Sequence, residues 1–144
     1  MEPEEFLILA EELSKKNKEA AYRSAISRAY YAAFHKAKNI LISMQIPMRR
    51  DKEIHHQIYD YLLYCGNDDV SDAASQLDAL RTGRNDADYE LDNTDIIDPL
   101  KVIKLLMDAE NIINVVNMNK SDASVKAMKA AIQDYIAKVD SGPQ

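Results

Sequence analysis

The chain has 144 residues, of which 47% are hydrophobic and 29% charged, with a formal net charge of -6. This length accommodates one domain with a single sizeable core, and no apolar run approaches the roughly 18 residues of a membrane span. One cysteine, Cys65, excludes an internal disulfide and a thiolate zinc cluster, and three glycines exclude a dinucleotide fingerprint or a phosphate loop.

The start, Met1-Glu2-Pro3-Glu4-Glu5, is acidic where a signal peptide would be basic, so a cytoplasmic protein is expected. Pro3 in the first turn and the stripe Phe6, Leu7, Leu9, Ala10, Leu13 predict a first helix from about Glu4 to Lys16. The longest helical pattern follows, from Glu19 to Met44, without Gly or Pro. Tyr22, Ile26, Ala29, Tyr30, Ala33, Ala37, Leu41 and Met44 recur there at steps of three and four. Tyr30, Tyr31 and Phe34 spread around this helix with alanines between them, which predicts burial on several sides and makes it the element around which the others pack. Pro47 stops it, and Met48-Arg49-Arg50 forms a basic connector.

A third helix is expected to start near Asp51 as its cap, to carry Ile54, Ile58, Tyr61, Leu62 and Cys65, and to end at Gly66-Asn67. The acidic link Asp68-Asp69 then leads to a fourth helix from about Ser71 to Leu91. Gly83 lies inside it, as a place of close approach or a kink. Asp98-Pro99 reads as cap and first position of a fifth helix reaching Val116, and Asn117 to Lys120 is a break. Ser121 caps a sixth helix in which Val125, Met128, Ile132, Tyr135 and Val139 form a narrow seam, available to the chain's own core or to a partner. Ser141 to Gln144 reads as a frayed end.

Charge is segregated. From Ser14 to Lys52 there are ten basic and two acidic residues, and from Glu53 to Asp98 twelve acidic residues surround only Arg81 and Arg84. That isolated cation pair either neutralises its own neighbours or binds an anion. Ser27-Arg28-Ala29-Tyr30-Tyr31-Ala32-Ala33-Phe34-His35, followed some fifty residues later by Arg81-Thr82-Gly83-Arg84-Asn85-Asp86-Ala87-Asp88-Tyr89, resembles the HEPN superfamily, specifically its prokaryotic stand-alone members with an Arg-Asn-x-Ala-Asp-Tyr signature. The resemblance spans about Glu5 to Val116. It implies an all-α, up-and-down helical bundle of four to five core helices over about residues 4–118, with the extra C-terminal helix at about 121–139 completing one domain, 1–144. It further implies a homodimer through the long second and the fourth helix, an RNA or nucleotide ligand, and a toxin-antitoxin or defence-type module in which a minimal nucleotidyltransferase is the antitoxin.

The chemistry centres on Arg84, Asn85, Asp88 and Tyr89, with Arg81, Arg28 and Lys36 as further binding candidates. On a helix Arg84 and Asp88 can form an ordinary i,i+4 ion pair with Tyr89 packed nearby. The same residues can instead offer a bidentate guanidinium to phosphate, an amide to a phosphate oxygen or 2′-hydroxyl, and a tyrosine to a base. Active relatives place a histidine beyond the motif Arg with four to six residues intervening and cut RNA without metal; here Tyr89, Glu90 and Leu91 occupy those positions, and no histidine follows His56. Without an imidazole of pKa near 6.5 at that place, binding is expected and robust cleavage is not. Two other readings stand beside it: a metal-independent ribonuclease toxin with a diverged form of that site, and a pure interaction module with Arg84 structural. No cofactor or metal is expected: His55 and His56 are adjacent and point about 100 degrees apart, so they are expected to face solvent or the basic connector, and His35 to pack.

Overall fold

The long alanine-rich stripe folds as helix α2 (Glu19–Ser43), and fifteen of its 25 residues are buried. Ala25, Ala29, Ala32, Ala33 and Ala37 are fully inaccessible and let neighbouring helices approach closely, while Ile26, Tyr30 and Leu41 fill the space between them. In this computed structural model, which describes residues 1–142 apart from the side chains of residues 96 and 97, the other elements are α1 (Glu4–Ser14), α3 (Ile54–Leu63), α4 (Asp68–Tyr89), a 3-10 turn (Thr94–Ile97), α5 (Pro99–Met118) and α6 (Asp122–Ser141). No strand occurs among the described residues, as expected for an all-α bundle. Helices α1, α4 and α5 pack around α2, and α3 lies mainly on α4. No described helix is long and apolar enough to cross a membrane.

Several boundaries differ from expectation for local reasons. α1 ends at Ser14, and Asn17 adopts a left-handed backbone (φ 53°) while its side chain accepts from the Tyr22 hydroxyl. α3 begins at Ile54 because Asp51 is used in the turn before it, accepting from the Glu53 N–H and pairing with Arg49. There is no acidic link before α4: Asn67, with extended backbone, accepts from the Val70 N–H, and Asp68 and Asp69 form the first helical turn, where carboxylates favour the helix dipole. Asp98 and Ser121 cap α5 and α6 as their sequences require, with Pro99 opening α5.

Gly83 is a site of close approach. A Cβ there would lie 3.0 Å from Leu105 Cδ1 of α5 and 3.5 Å from Ile26 Cγ2 of α2. Helix α6 folds onto its own chain: Met128 and Ile132 are buried, Tyr135 stacks on Tyr64 at 4.3 Å, and Ala131 comes within 3.1 Å of where a Gly66 Cβ would be. It continues to Ser141; the rest of the expected frayed end, residues 143 and 144, lies outside the described residues. On α5, Leu100, Ile103 and Met107 stand outward.

Candidate functional site

Helices α2 and α4 run antiparallel, and a polar ladder at i, i+4, i+8 of α2 meets the C-terminal half of α4. The Arg23 guanidinium, on a residue only 6% exposed, donates to the carbonyls of Asp86, Ala87, Glu90, Leu91 and Asn93, and pairs with Glu19. One turn on, the Ser27 hydroxyl donates to Asp88 Oδ2 at 3.2 Å. One turn further, the Tyr31 hydroxyl accepts from Arg84 Nη2 at 2.9 Å. Helix carbonyls lack partners at a C-terminus, so Arg23 completes the end of α4 and sets where Asp88 and Arg84 stand.

Four of the expected site residues come together here. Arg84 Nη1 donates to Asn85 Oδ1 at 3.1 Å, and Arg84 Nε lies 3.0 Å from Asp88 Oδ2, the i,i+4 ion pair the spacing allows. That Nε–H is not aimed along the contact and remains a buried donor without a directed hydrogen bond. The guanidinium carbon lies 5.3 Å from the Tyr31 ring centre and 5.4 Å from that of Tyr89, which is 69% exposed. A guanidinium has five N–H groups, and here only two are spent on directed hydrogen bonds. The site therefore presents a half-buried cation with unused donors and an accessible aromatic face.

Arg81 lies one turn before Arg84 on α4 and acts on Tyr30 and His55. Arg28 sits over the Phe6 and Tyr31 rings, at 5.5 and 5.8 Å, and so borders the same aromatic cluster. Lys36 does not belong to the site: it is 7% exposed, its ammonium pairs with Glu4, and it lines a separate cleft with Val116, Lys120 and Val125. The basic segment from Ser14 to Lys52 is thus not a uniform cationic surface, because folding takes Arg23 and Lys36 inside as structural cations.

His55 also differs from expectation. Rather than facing solvent, its ring stacks on Phe34 at 4.6 Å and on Tyr30 at 5.7 Å, and Nδ1 meets the Tyr30 hydroxyl at 2.5 Å. Helix α3 buries Ile54 and Ile58, which turns position 55 toward α2, whereas His56 is exposed and pairs with Asp60. Burial lowers the His55 pKa, helped by the charges of Arg81 and Arg84, and burial raises that of Tyr30 well above its ordinary value, so both are neutral near pH 7. His35 packs as expected, stacked on Phe6 at 5.9 Å, and burial lowers its pKa, with Lys38 adding to the shift.

A pH dependence of stability follows. Histidines lowered in the fold take up protons more readily when unfolded, so their stabilising contribution is complete above the unfolded value of about 6.5 and is lost as pH falls through the lowered folded values. The urea midpoint is expected to drop between about pH 7.5 and 5, above the range in which Glu4 titrates. A His35→Gln, His55→Gln double variant should show a flatter profile over that range; an unchanged slope would remove both residues from the linkage.

A family model described as HEPN domain matches residues 2–120, all of the chain up to the start of α6. No curated protein and no solved structure matches the chain. With a match over most of its length, an all-helical bundle around α2, and both sequence motifs meeting between α2 and α4, the chain belongs to the HEPN domain family.

Proposed function

We infer that the protein binds the phosphates of RNA, or of a nucleotide, in the cleft containing Arg84. The observation that carries this is the Arg84 guanidinium, set between Tyr31 and Tyr89 with one N–H of each Nη outside any directed hydrogen bond, beside Arg81 in an otherwise acidic segment. A planar fork matches phosphate bidentately, and the exposed Tyr89 ring can stack a base. Arg28 extends the cationic border of the cleft. Family membership supports a nucleotide- or RNA-related role. The finer assignment is a homodimer through α2 and α4, in a toxin-antitoxin or defence-type module with a minimal nucleotidyltransferase as antitoxin, and it rests on the motif resemblance.

Arg84→Ala is expected to weaken binding of a mixed-sequence RNA about 10- to 100-fold at fixed salt, the worth of one charge-assisted bidentate contact. The slope of log affinity against log salt should also become shallower. Fluorescence anisotropy at several salt concentrations reads both. If affinity and slope match the parent while the unfolding midpoint falls, Arg84 serves only its ion pair with Asp88 and the protein is an interaction module.

A further inference from the structure

We propose that a second cleft, where the end of α5 and the start of α6 meet α2, binds a small organic anion between Lys120 and the buried Lys36. The ligand class is one carboxylate or phosphate group on a short apolar body. This cleft shares no residue with the Arg84 site, so the inference does not depend on how that site is read.

The charges come first. Lys36 projects from α2 into the interior, and its ammonium is matched by Glu4, whose carboxyl that contact holds below its usual pKa, so both stay ionised near pH 7. Lys120, in the connector between α5 and α6, is exposed and lines the same cleft, yet among the described residues it has no carboxylate within ion-pair distance. The neighbouring Lys36 ammonium, more than burial, lowers the Lys120 pKa, and the carboxylates of Glu4 and Glu2 offset only part of this. Two ammonium groups are therefore held on one cleft with a single close counter-ion between them. An anion placed there relieves the repulsion and gives Lys120 the partner it lacks.

The rest of the lining sets the ligand's shape. Asn39 is exposed in the cleft and adds an uncharged amide donor, whereas the Ser43 hydroxyl already donates to the Ile40 carbonyl. Ile40, Val116 and Val125 form an apolar wall from three helices, which suits a hydrocarbon or aromatic body and not a bare ion. The volume, about 330 Å³, keeps that body short. Glu2 also lines the cleft and disfavours a ligand with several charged groups, which sets the number at one. Val125 belongs to α6, beyond the residues matched to the family, so the site arises where this extra helix joins the bundle.

The test titrates benzoate and phenyl phosphate into the isotope-labelled full chain and follows amide chemical shifts. At least one of the two should give saturable shifts centred on Asn39, Lys120 and Val125, and the tighter one identifies the anionic group the cleft takes. Inorganic phosphate and benzyl alcohol each carry half of the ligand, and each should bind about 10-fold more weakly or worse. Lys120→Met should weaken binding of the better probe about 10-fold, and Lys120→Arg, which keeps the charge, should stay within roughly threefold of the parent. Lys120 is exposed, so both variants should keep the parent's unfolding midpoint. No saturable shift with either probe, shifts centred on Arg84 and Tyr89 alone, or equal affinity in Lys120→Met overturns the proposal. Inorganic phosphate or benzyl alcohol binding as tightly as the better probe overturns it too, because one half of the ligand would then suffice.

Discussion

Arg23→Met is expected to cost the fold about 3–5 kcal/mol, read as a fall in the urea midpoint with the m-value kept. The reason is the number of partners concentrated on one buried side chain. Five carbonyls from Asp86 to Asn93 converge on its guanidinium, at distances between 2.9 and 3.2 Å. Hydrogen bonds to a charged group contribute about 1.5–3 kcal/mol each, and carbonyls left buried and unpaired add their own desolvation cost. Part of the sum is offset because the cation itself was expensive to bury and because the loop after α4 can rehydrate, so the net falls well below five full bonds. Arg23→Lys should recover less than half of the loss, since an ammonium has three donors and no planar fork. The loss should reach the site as well, because the end of α4 carries Asp88 and Tyr89. A midpoint shift worth under ~1 kcal/mol would mean that water replaces the guanidinium freely at these carbonyls.

The second large effect concerns α6. Met128→Ala and Ile132→Ala should each destabilise the chain by about 2–5 kcal/mol, the cost of emptying a buried aliphatic site and leaving a cavity. Both side chains are buried, at 2% and 0% exposure, although α6 lies beyond the residues matched to the family. The remaining contacts tie the helix to the region around α3: Tyr135 reaches Tyr61 and Tyr64, and Ala131 fills the space left by Gly66. Gly66 also has φ +77°, so any side chain there meets both strain and a neighbour. Unfolding of the double variant should remain one transition, shifted as a whole, because α6 shares the core of the bundle. If the midpoint held and only the solution mass changed, the seam of α6 would belong to a partner.

Much of this protein could be read from residue order. The 3.6-residue period of α2, its lack of Gly and Pro, and the caps Asp98-Pro99 and Ser121 are local signals, and local signals survive folding because they act within one helix. Grouping Arg84, Asn85, Asp88 and Tyr89 needed only helical spacing, since residues one to five apart on a helix stay near each other wherever the helix goes. Errors came where a side chain had to choose between solvent and a distant helix. Asn67 could end one helix or cap the next, and its extended backbone decided for the cap. Lys36 and Arg23 belong to the basic segment from Ser14 to Lys52, and folding turns them inward, onto Glu4 and the end of α4.

His55 shows the limit most directly. Its sequence neighbourhood, a His-His pair after a basic connector, contains no mark of Tyr30 or Phe34, which lie more than twenty residues earlier. The order of residues by itself determined that the chain is helical, which helix is central, and which α4 residues share a surface, because each depends on periodicity within a segment. Only the tertiary structure decided that α6 closes on its own chain, that Arg23 completes α4, and that an imidazole stands on the ring beside the one holding Arg84. Those outcomes depend on the rotation and register of one helix against another, set by close contacts such as Gly83 against Leu105, and no single segment encodes them.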